Sequence, residues 1–252
     1  MNILLTNDDG IYAEGIYVAY QELKKIGKVT VVAPDTQRSS VGHGITLSHP
    51  IWQTKVHRKG QPFGIGISGT PADCVKFAVN VVLKEKPDMV VSGINLGPND
   101  GCSVFYSGTV AGAREGALMG IPAMAVSLAT FVNPDFHYAA QCTARLAKTL
   151  VNDAWPKGTF LNVNVPHRSP SQIKGFKVTQ QGTIPIHGAF SKRKDPNLRE
   201  YYWMTGRMPR HTENKFIDTY ALTNGYVTVT PIQSDSTDYK FLNKLSESNF
   251  LN

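Results

Sequence analysis

Three cysteines among 252 residues, Cys74, Cys102 and Cys142, are scattered with no CxxC spacing. That excludes a disulfide framework and a thiolate zinc site. Cys74 and Cys142 read as small buried residues on helices. No apolar run is long enough to span a bilayer. The N-terminus has no basic region followed by a signal-type apolar stretch, so a cytoplasmic protein with no membrane partner is expected. There are no internal repeats and no low-complexity tract. His49, His57, His137, His167, His187 and His211 show no ligand spacing such as HExxH. Acids are scarce: 19 Asp and Glu against 26 Lys and Arg give a net charge of +7. Seven Lys and Arg against three acids fall between Ser191 and Lys215. A basic balance attracts anions of every kind. No nucleic-acid motif accompanies it, so this stretch reads as a solvated loop and no stable nucleic-acid complex is expected.

What the chain does have is a core and a pattern. With 41% hydrophobic residues it can fill one large domain, and 1–252 is read as a single α/β unit. Strand-like runs at Ile3–Thr6, Val29–Ala33, Met89–Ser92, Ala123–Ser127 and Leu161–Val165 alternate with helix-like segments. The helical segments are Glu14–Ile26, Pro71–Leu83, Thr109–Met119 and Tyr138–Leu150. Thr70, Pro71 and Asp73 form a helix start of capping-box type. The alternation predicts βαβ units and a doubly wound, mainly parallel sheet. From Ile173 the pattern changes. Ile173–Thr179, Glu200–Met204 and Gly225–Thr230 read as strands, and Gly182–Lys215 reads as a projecting hairpin arm. Thr237–Leu245 reads as a terminal helix with Phe241 and Leu245 on one face. Residues 173–252 are thus expected to be an extension used in oligomerisation.

The first strand runs into Asn7-Asp8-Asp9-Gly10. Ligands in an open α/β sheet bind at the carboxyl ends of its strands. Two adjacent carboxylates there repel unless a cation lies between them, and a hard divalent ion with oxygen ligands is the usual answer. The same four residues also suit a plain turn. Three further loops share that edge: Ala33–Gly44, Ser92–Gly101 and Tyr106–Thr109. Ser107-Gly108-Thr109 opens a helix, where free N–H groups and the helix dipole favour phosphate. Ser107 or Thr109 as a simple N-cap, Asn95 as a turn residue and Ser39 as a loop hydroxyl are the plainer readings. His43, in a glycine-rich loop, is either a proton donor or structural. Arg38 either pairs a phosphate or is solvated. The convergence of carboxylates, hydroxyls, an amide and a phosphate cradle on one sheet edge favours function.

The strings ILLTNDDG (3–10), VAPDTQRS (32–39), GTPADCV (69–75), PDMVVSGINLG (87–97), YSGTV (106–110), GIP (120–122), LNVNVP (161–166) and GYVTVTP (225–231) resemble the stationary-phase survival protein SurE family. The resemblance spans nearly the whole chain. It implies a Rossmann-like domain, a swapped C-terminal element and homodimers or homotetramers. It implies metal-dependent hydrolysis of nucleoside 5′- and 3′-monophosphates, with exopolyphosphatase activity in some members. The family's metal ligands fall on Asp8, Asp9, Ser39 and Asn95, with one Mg²⁺ or Mn²⁺ per subunit. Ser40 departs from the pattern, since many members have glycine there, and the basic 191–215 arm is a second departure.

On this reading the metal activates a water and draws charge from the phosphoryl group. Asp8 and Asp9 are the catalytic carboxylates, either one orienting the water. The Ser107-Gly108-Thr109 amides and the Asn99 side chain hold the remaining phosphate oxygens. A dehalogenase-type phosphatase needs Asp-x-Asp after the first strand, and here the order is Asn-Asp-Asp. A phosphoacceptor signalling module needs a lone Asp ending a central strand, whereas Asp88 begins one. A non-enzymatic nucleotide or phosphate binder is the remaining alternative, and turnover separates it.

Overall fold

The computed structural model describes residues 1–185, 187–207 and 214–248. Residues Arg210, His211 and Glu213 of the basic arm lie outside the described residues. A nine-stranded sheet forms the centre of the fold. In chain order its strands are β1 (Asn2–Thr6), β2 (Lys28–Pro34), β3 (Gln53–Arg58), β4 (Gln61–Ile67), β5 (Met89–Leu96), β6 (Ala123–Ala129), β7 (Thr159–Pro166), β8 (Phe176–Val178) and β11 (Val227–Gln233). They lie side by side as β3-β4-β2-β1-β5-β6-β7-β11-β8. The run from β4 through β7 is parallel throughout. β3 joins β4 antiparallel, β11 joins β7 antiparallel, and β8 lies parallel to β11.

Helices cover both faces, and the strands alternate their side chains to match. Ile3 and Leu5 pack on one side with α1 (Glu14–Leu23) and α4 (His137–Leu150). Leu4 packs on the other with α2 (Pro71–Phe77) and α3 (Gly108–Leu118). Both faces of β1 are therefore buried, which is why it reads as an unbroken apolar run. Cys74 and Cys142 are buried free thiols on α2 and α4. The Thr70–Asp73 capping box forms. Two helices end earlier than their sequence pattern, and α3 starts one residue sooner. Helix α1 gives way after Leu23 to tight turns, with Lys25 N–H on Glu22 O and Ile26 N–H on Leu23 O. Beyond Phe77 the chain widens into a π-turn, Ala78–Val82. There Asn80 Nδ2 takes the Lys76 carbonyl at 2.8 Å, a local bond that competes with the helix ladder. Helix α3 begins at Gly108, with Ser107 as its cap.

Of residues 173–252, β8 and β11 complete the far edge of the main sheet, and α5 (Asp218–Thr223) packs against β11 and β7. The arm is an antiparallel hairpin of β9 (His187–Lys194) and β10 (Glu200–Arg207), paired to each other in a separate two-stranded sheet. The terminal helix α6 (Tyr239–Ser246) is capped by Asp238 and buries no residue. Among the described residues no helix is long and apolar enough to cross a membrane.

Candidate functional site

The strand order places the site. From β1 the chain moves outward to β2 and β4, then returns to the other side of β1 as β5. The connections following β1 and β5 therefore diverge, and such a reversal opens a crevice at the carboxyl edge. A solvent-open cleft of about 250 Å³ lies there, lined among others by Asp8, Ser39, Asn95, Asn99, Ser107 and Phe131.

Asp8 follows β1 and is only 4% exposed. The Thr109 hydroxyl donates to its Oδ1, and the Thr109 backbone N–H also favours its charged form. The N-terminus of α3 is thus aimed at Asp8. Gly108 makes this approach possible: a Cβ there would lie 2.8 Å from Asp8 Cβ. Burial raises the Asp8 pKa to about 6, and the neighbouring Asp9 charge adds to the rise, against the lowering bonds from Thr109. Asp9 lies outside the cleft lining; its Oδ2 accepts the Leu96 N–H at 3.1 Å, tying it to the end of β5. Burial raises its pKa too. Asn7 Nδ2 donates to the Gly10 carbonyl at 2.9 Å. The turn reading of this segment is therefore also true, and the turn is what presents the two acids.

Asn95 sits just past a register shift between β5 and β6. Its Nδ2 donates to the Gly97 carbonyl at 2.7 Å, which leaves Oδ1 as the free acceptor. Ser39 is exposed and accepts from Gln37 Nε2 at 2.9 Å. Ser40 next to it has φ of +58°, a left-handed conformation that glycine adopts most easily. Ser107 caps α3, its Oγ accepting the Val110 N–H at 3.1 Å, and its own O–H remains available to a ligand.

Two placements depart from a simple cradle. Thr109 is fully buried with its hydroxyl spent on Asp8. His43 does not line the cleft; its Nε2 lies 2.8 Å from Oε2 of the buried Glu115, whose Oε1 also pairs with Lys76 Nζ at 2.7 Å. Burial alone would raise the Glu115 pKa, but its bonds to His43 and Lys76 outweigh that and hold it low. Arg38 donates to the Ser68 carbonyl at 3.3 Å and stands 3.9 Å from Asp35.

The sequence reading missed the scaffold behind Asn99. Asn164 Oδ1 accepts the Asn99 N–H at 2.7 Å, and Asn162 Nδ2 donates to the Asn99 carbonyl at 2.7 Å. Asn99 Nδ2 donates to Ser127 Oγ at 2.9 Å. The signal was the spacing of Asn162 and Asn164 two apart, which puts both on one face of β7.

Among the described residues no three His, Cys, Asp or Glu side chains gather as a metal-ligand group. The residues expected as ligands, Asp8, Asp9, Ser39 and Asn95, are all oxygen donors: two carboxylates, a hydroxyl and an amide. No cationic side chain contributes to the shift of either acid. Oxygen donors with uncompensated negative charge fit a hard divalent cation.

Comparisons with known proteins identify the family to which this fold and sequence belong. The family described as Survival protein SurE matches residues 3–187. The protein named 5′-nucleotidase SurE of Syntrophobacter fumaroxidans is 45% identical over 249 residues, covering 99% of this chain and all of that one. A protein of the same name from Carboxydothermus hydrogenoformans is 45% identical over 250 residues, covering 97% and 95%. The crystal structure of the SurE protein from Aquifex aeolicus superposes with a TM-score of 0.85 at 40% identity, covering 98% of each chain. With a full-length match in sequence and in fold, the chain belongs to the SurE family.

Proposed function

We propose that this protein is a metal-dependent phosphomonoesterase that hydrolyses nucleoside 5′-monophosphates, with 3′-monophosphates and short polyphosphate as further substrates. The observation that carries the proposal is the convergence of Asp8, Asn95, Ser39, Asn99 and Ser107 on one cleft at the sheet's reversal point. The relatives' shared name, 5′-nucleotidase SurE, supports the choice of substrate.

Asp8, Asp9, Ser39 and Asn95 would hold the metal. A bound Mg²⁺ or Mn²⁺ supplies positive charge to the phosphoryl oxygens and favours ionisation of a water. The protein's own part is positioning. The Ser107 hydroxyl and the Gly108 N–H, at the positive end of α3, face the phosphate oxygens on which charge must be stabilised. The Asn99 amide, clamped by Asn162, Asn164 and Ser127, holds a further oxygen in place. Asp9, fixed by the Leu96 N–H, orients the attacking water. That water's oxygen bonds to phosphorus as the ester P–O bond breaks, and the leaving nucleoside oxygen takes up the equivalent of the proton that the water gives up. His43, engaged by Glu115, anchors the loop that carries Ser39.

The test is phosphate release from a panel of 5′- and 3′-mononucleotides, polyphosphate and an aryl phosphate, with and without divalent metal. Release that chelation abolishes and Mn²⁺ or Mg²⁺ restores is the expected result. Nucleotide binding without release would overturn the proposal, and full turnover after metal stripping would overturn its metal dependence.

A further inference from the structure

The loop that carries Asn99 is held from two sides. On one side Asn162 and Asn164 of β7 take the backbone of Asn99 itself. On the other side the C-terminal extension takes the backbone of Gly101. Asp218 Oδ2 accepts the Gly101 N–H at 2.9 Å, and Gln181 Nε2 donates to the Gly101 carbonyl at 3.1 Å. Gly101 has φ of +54° and opens the short 3₁₀ turn Gly101–Phe105, which leads to the Ser107 cap of α3.

Asp218 is the first residue of α5, fully buried and 117 residues along the chain from Gly101. It sits at the root of the β9–β10 arm. The Gln180 N–H donates to the Phe216 carbonyl at 2.8 Å, and the Asp218 N–H donates to the Gln180 carbonyl at 2.9 Å. The segments leading into and out of the arm are therefore joined at this point. Asp218 Oδ1 accepts the Gly182 N–H at 3.0 Å, the Thr219 N–H at 2.7 Å and the Thr219 hydroxyl at 3.2 Å. Oδ1 thus serves the root of the arm and Oδ2 serves the loop beside the cleft. Buried donors have no water to fall back on, so a carboxylate occupied on both oxygens ties the two segments firmly.

We propose that Asp218 is a positioning residue for the cleft: through the Gly101 N–H it fixes the turn after Asn99, and with it the aim of the Asn99 amide at the phosphate oxygens. This rests on the phosphomonoesterase reading above. Asn99 lines the cleft and Asp218 does not, so Asp218 acts only through the loop. One Nδ2 hydrogen of Asn99 goes to Ser127, which leaves the other for a ligand. A misaimed donor costs most where charge develops, in the transition state.

Asp218→Asn is the informative variant. Its single oxygen is drawn to the three donors of Gly182 and Thr219, which sets Nδ2 against the Gly101 N–H, donor against donor. On a 5′-mononucleotide with metal present, kcat should fall about tenfold while KM stays within about twofold. Gln181→Ala removes only the tie to the Gly101 carbonyl, from a half-buried side chain, and should lower kcat about threefold. It keeps the proposal testable if Asp218→Asn does not fold. Asn99→Ala should cost about a hundredfold in kcat, the scale of a lost oxyanion donor. The deciding measurement is the double-mutant cycle. In the Asn99→Ala background neither Asp218→Asn nor Gln181→Ala should lower kcat further by more than about twofold. Wild-type kcat in both single variants, a loss carried by KM alone, or losses that multiply with that of Asn99→Ala would overturn the proposal. Vanadate, a mimic of the phosphoryl group in transfer, reads the same cycle by calorimetry without turnover. A wild-type protein that binds vanadate yet releases no phosphate would overturn the phosphomonoesterase reading and leave the vanadate cycle to judge Asp218. A wild-type protein that does neither would overturn both.

Discussion

At the scale of single residues, Asp8 is where the proposed function and stability oppose each other. Its carboxyl is buried and its pKa is raised from 3.8 to about 6. For an acid raised on folding, the native state binds the proton more tightly than the unfolded chain does. Stability is then full below about pH 4 and falls as pH rises towards 6. The shift corresponds to roughly 3 kcal/mol of destabilisation above that range in metal-free protein. Asp8→Asn removes the charge and keeps an oxygen for the Thr109 hydroxyl. In chelator at pH 7.5 this variant should melt several degrees above wild type, with the gap closing at pH 4. Added Mn²⁺ should raise the wild-type melting point and not the variant's, while the variant loses most of its activity. A variant that melts below wild type at both pH values would show that the carboxylate stabilises the metal-free fold. Ser40 gives a smaller test of the same kind. A serine at φ +58° costs roughly 1 kcal/mol relative to glycine. Ser40→Gly should therefore raise the melting temperature by about 2–4 °C. The paired acids were legible at this scale because two carboxylates at a strand end stand out, whereas Ser39 was singled out as a ligand only by the family resemblance. The roles of Thr109 and His43 were not legible, because a hydroxyl or an imidazole carries no mark of which neighbour it will bond.

Between secondary-structure elements, the proposed catalysis depends on how closely the start of α3 approaches the end of β1. Gly108 sets that distance, since a Cβ would meet Asp8 Cβ at 2.8 Å, Asp8 Oδ2 at 3.0 Å and the Arg38 carbonyl at 3.2 Å. Gly108→Ala favours the helix by propensity, yet it should push α3 away from Asp8. Overpacking of this kind typically costs about 1–3 kcal/mol. The expected outcome is a lower melting temperature together with at least a tenfold loss of kcat/KM. Wild-type kinetics in the alanine variant would show that the helix end tolerates displacement. The sequence carried the parallel strands clearly, since burial on both faces leaves uninterrupted apolar runs. It concealed the β3–β4 hairpin for the opposite reason. Along β3 only Val56 is buried, and β4 contains Pro62, Gly64 and Gly66. Such an edge hairpin has little apolar pattern to display. Its marker was the Lys59-Gly60 turn, where both residues have positive φ.

For the whole molecule, the question is what the elements outside the core are for. The β9–β10 hairpin pairs only with itself within the described residues, and Phe190, Tyr202, Trp203 and Met204 are exposed along it. Helix α6 exposes Tyr239, Phe241 and Leu242. An isolated two-stranded hairpin is marginal in water, and an eight-residue helix is too short to be stable alone. Both elements need a surface to rest on. The apolar face of the terminal helix was legible from Phe241 and Leu245, whereas the exposure of that helix among the described residues was not, because a sequence pattern shows which face is apolar and not what covers it. A second copy of the chain is the expected cover, with the arm and the terminal helix as its contacts. Full-length protein at micromolar concentration should scatter light as a dimer or tetramer of the 27.6 kDa chain. Replacing residues 187–207 with a short Gly-Ser linker, or removing those from Ser236 onward, should lower the mass or weaken folding. A monomer at micromolar concentration would overturn this, because the exposed aromatics would then be solvated within a single chain and the arm would have to cover its own cleft.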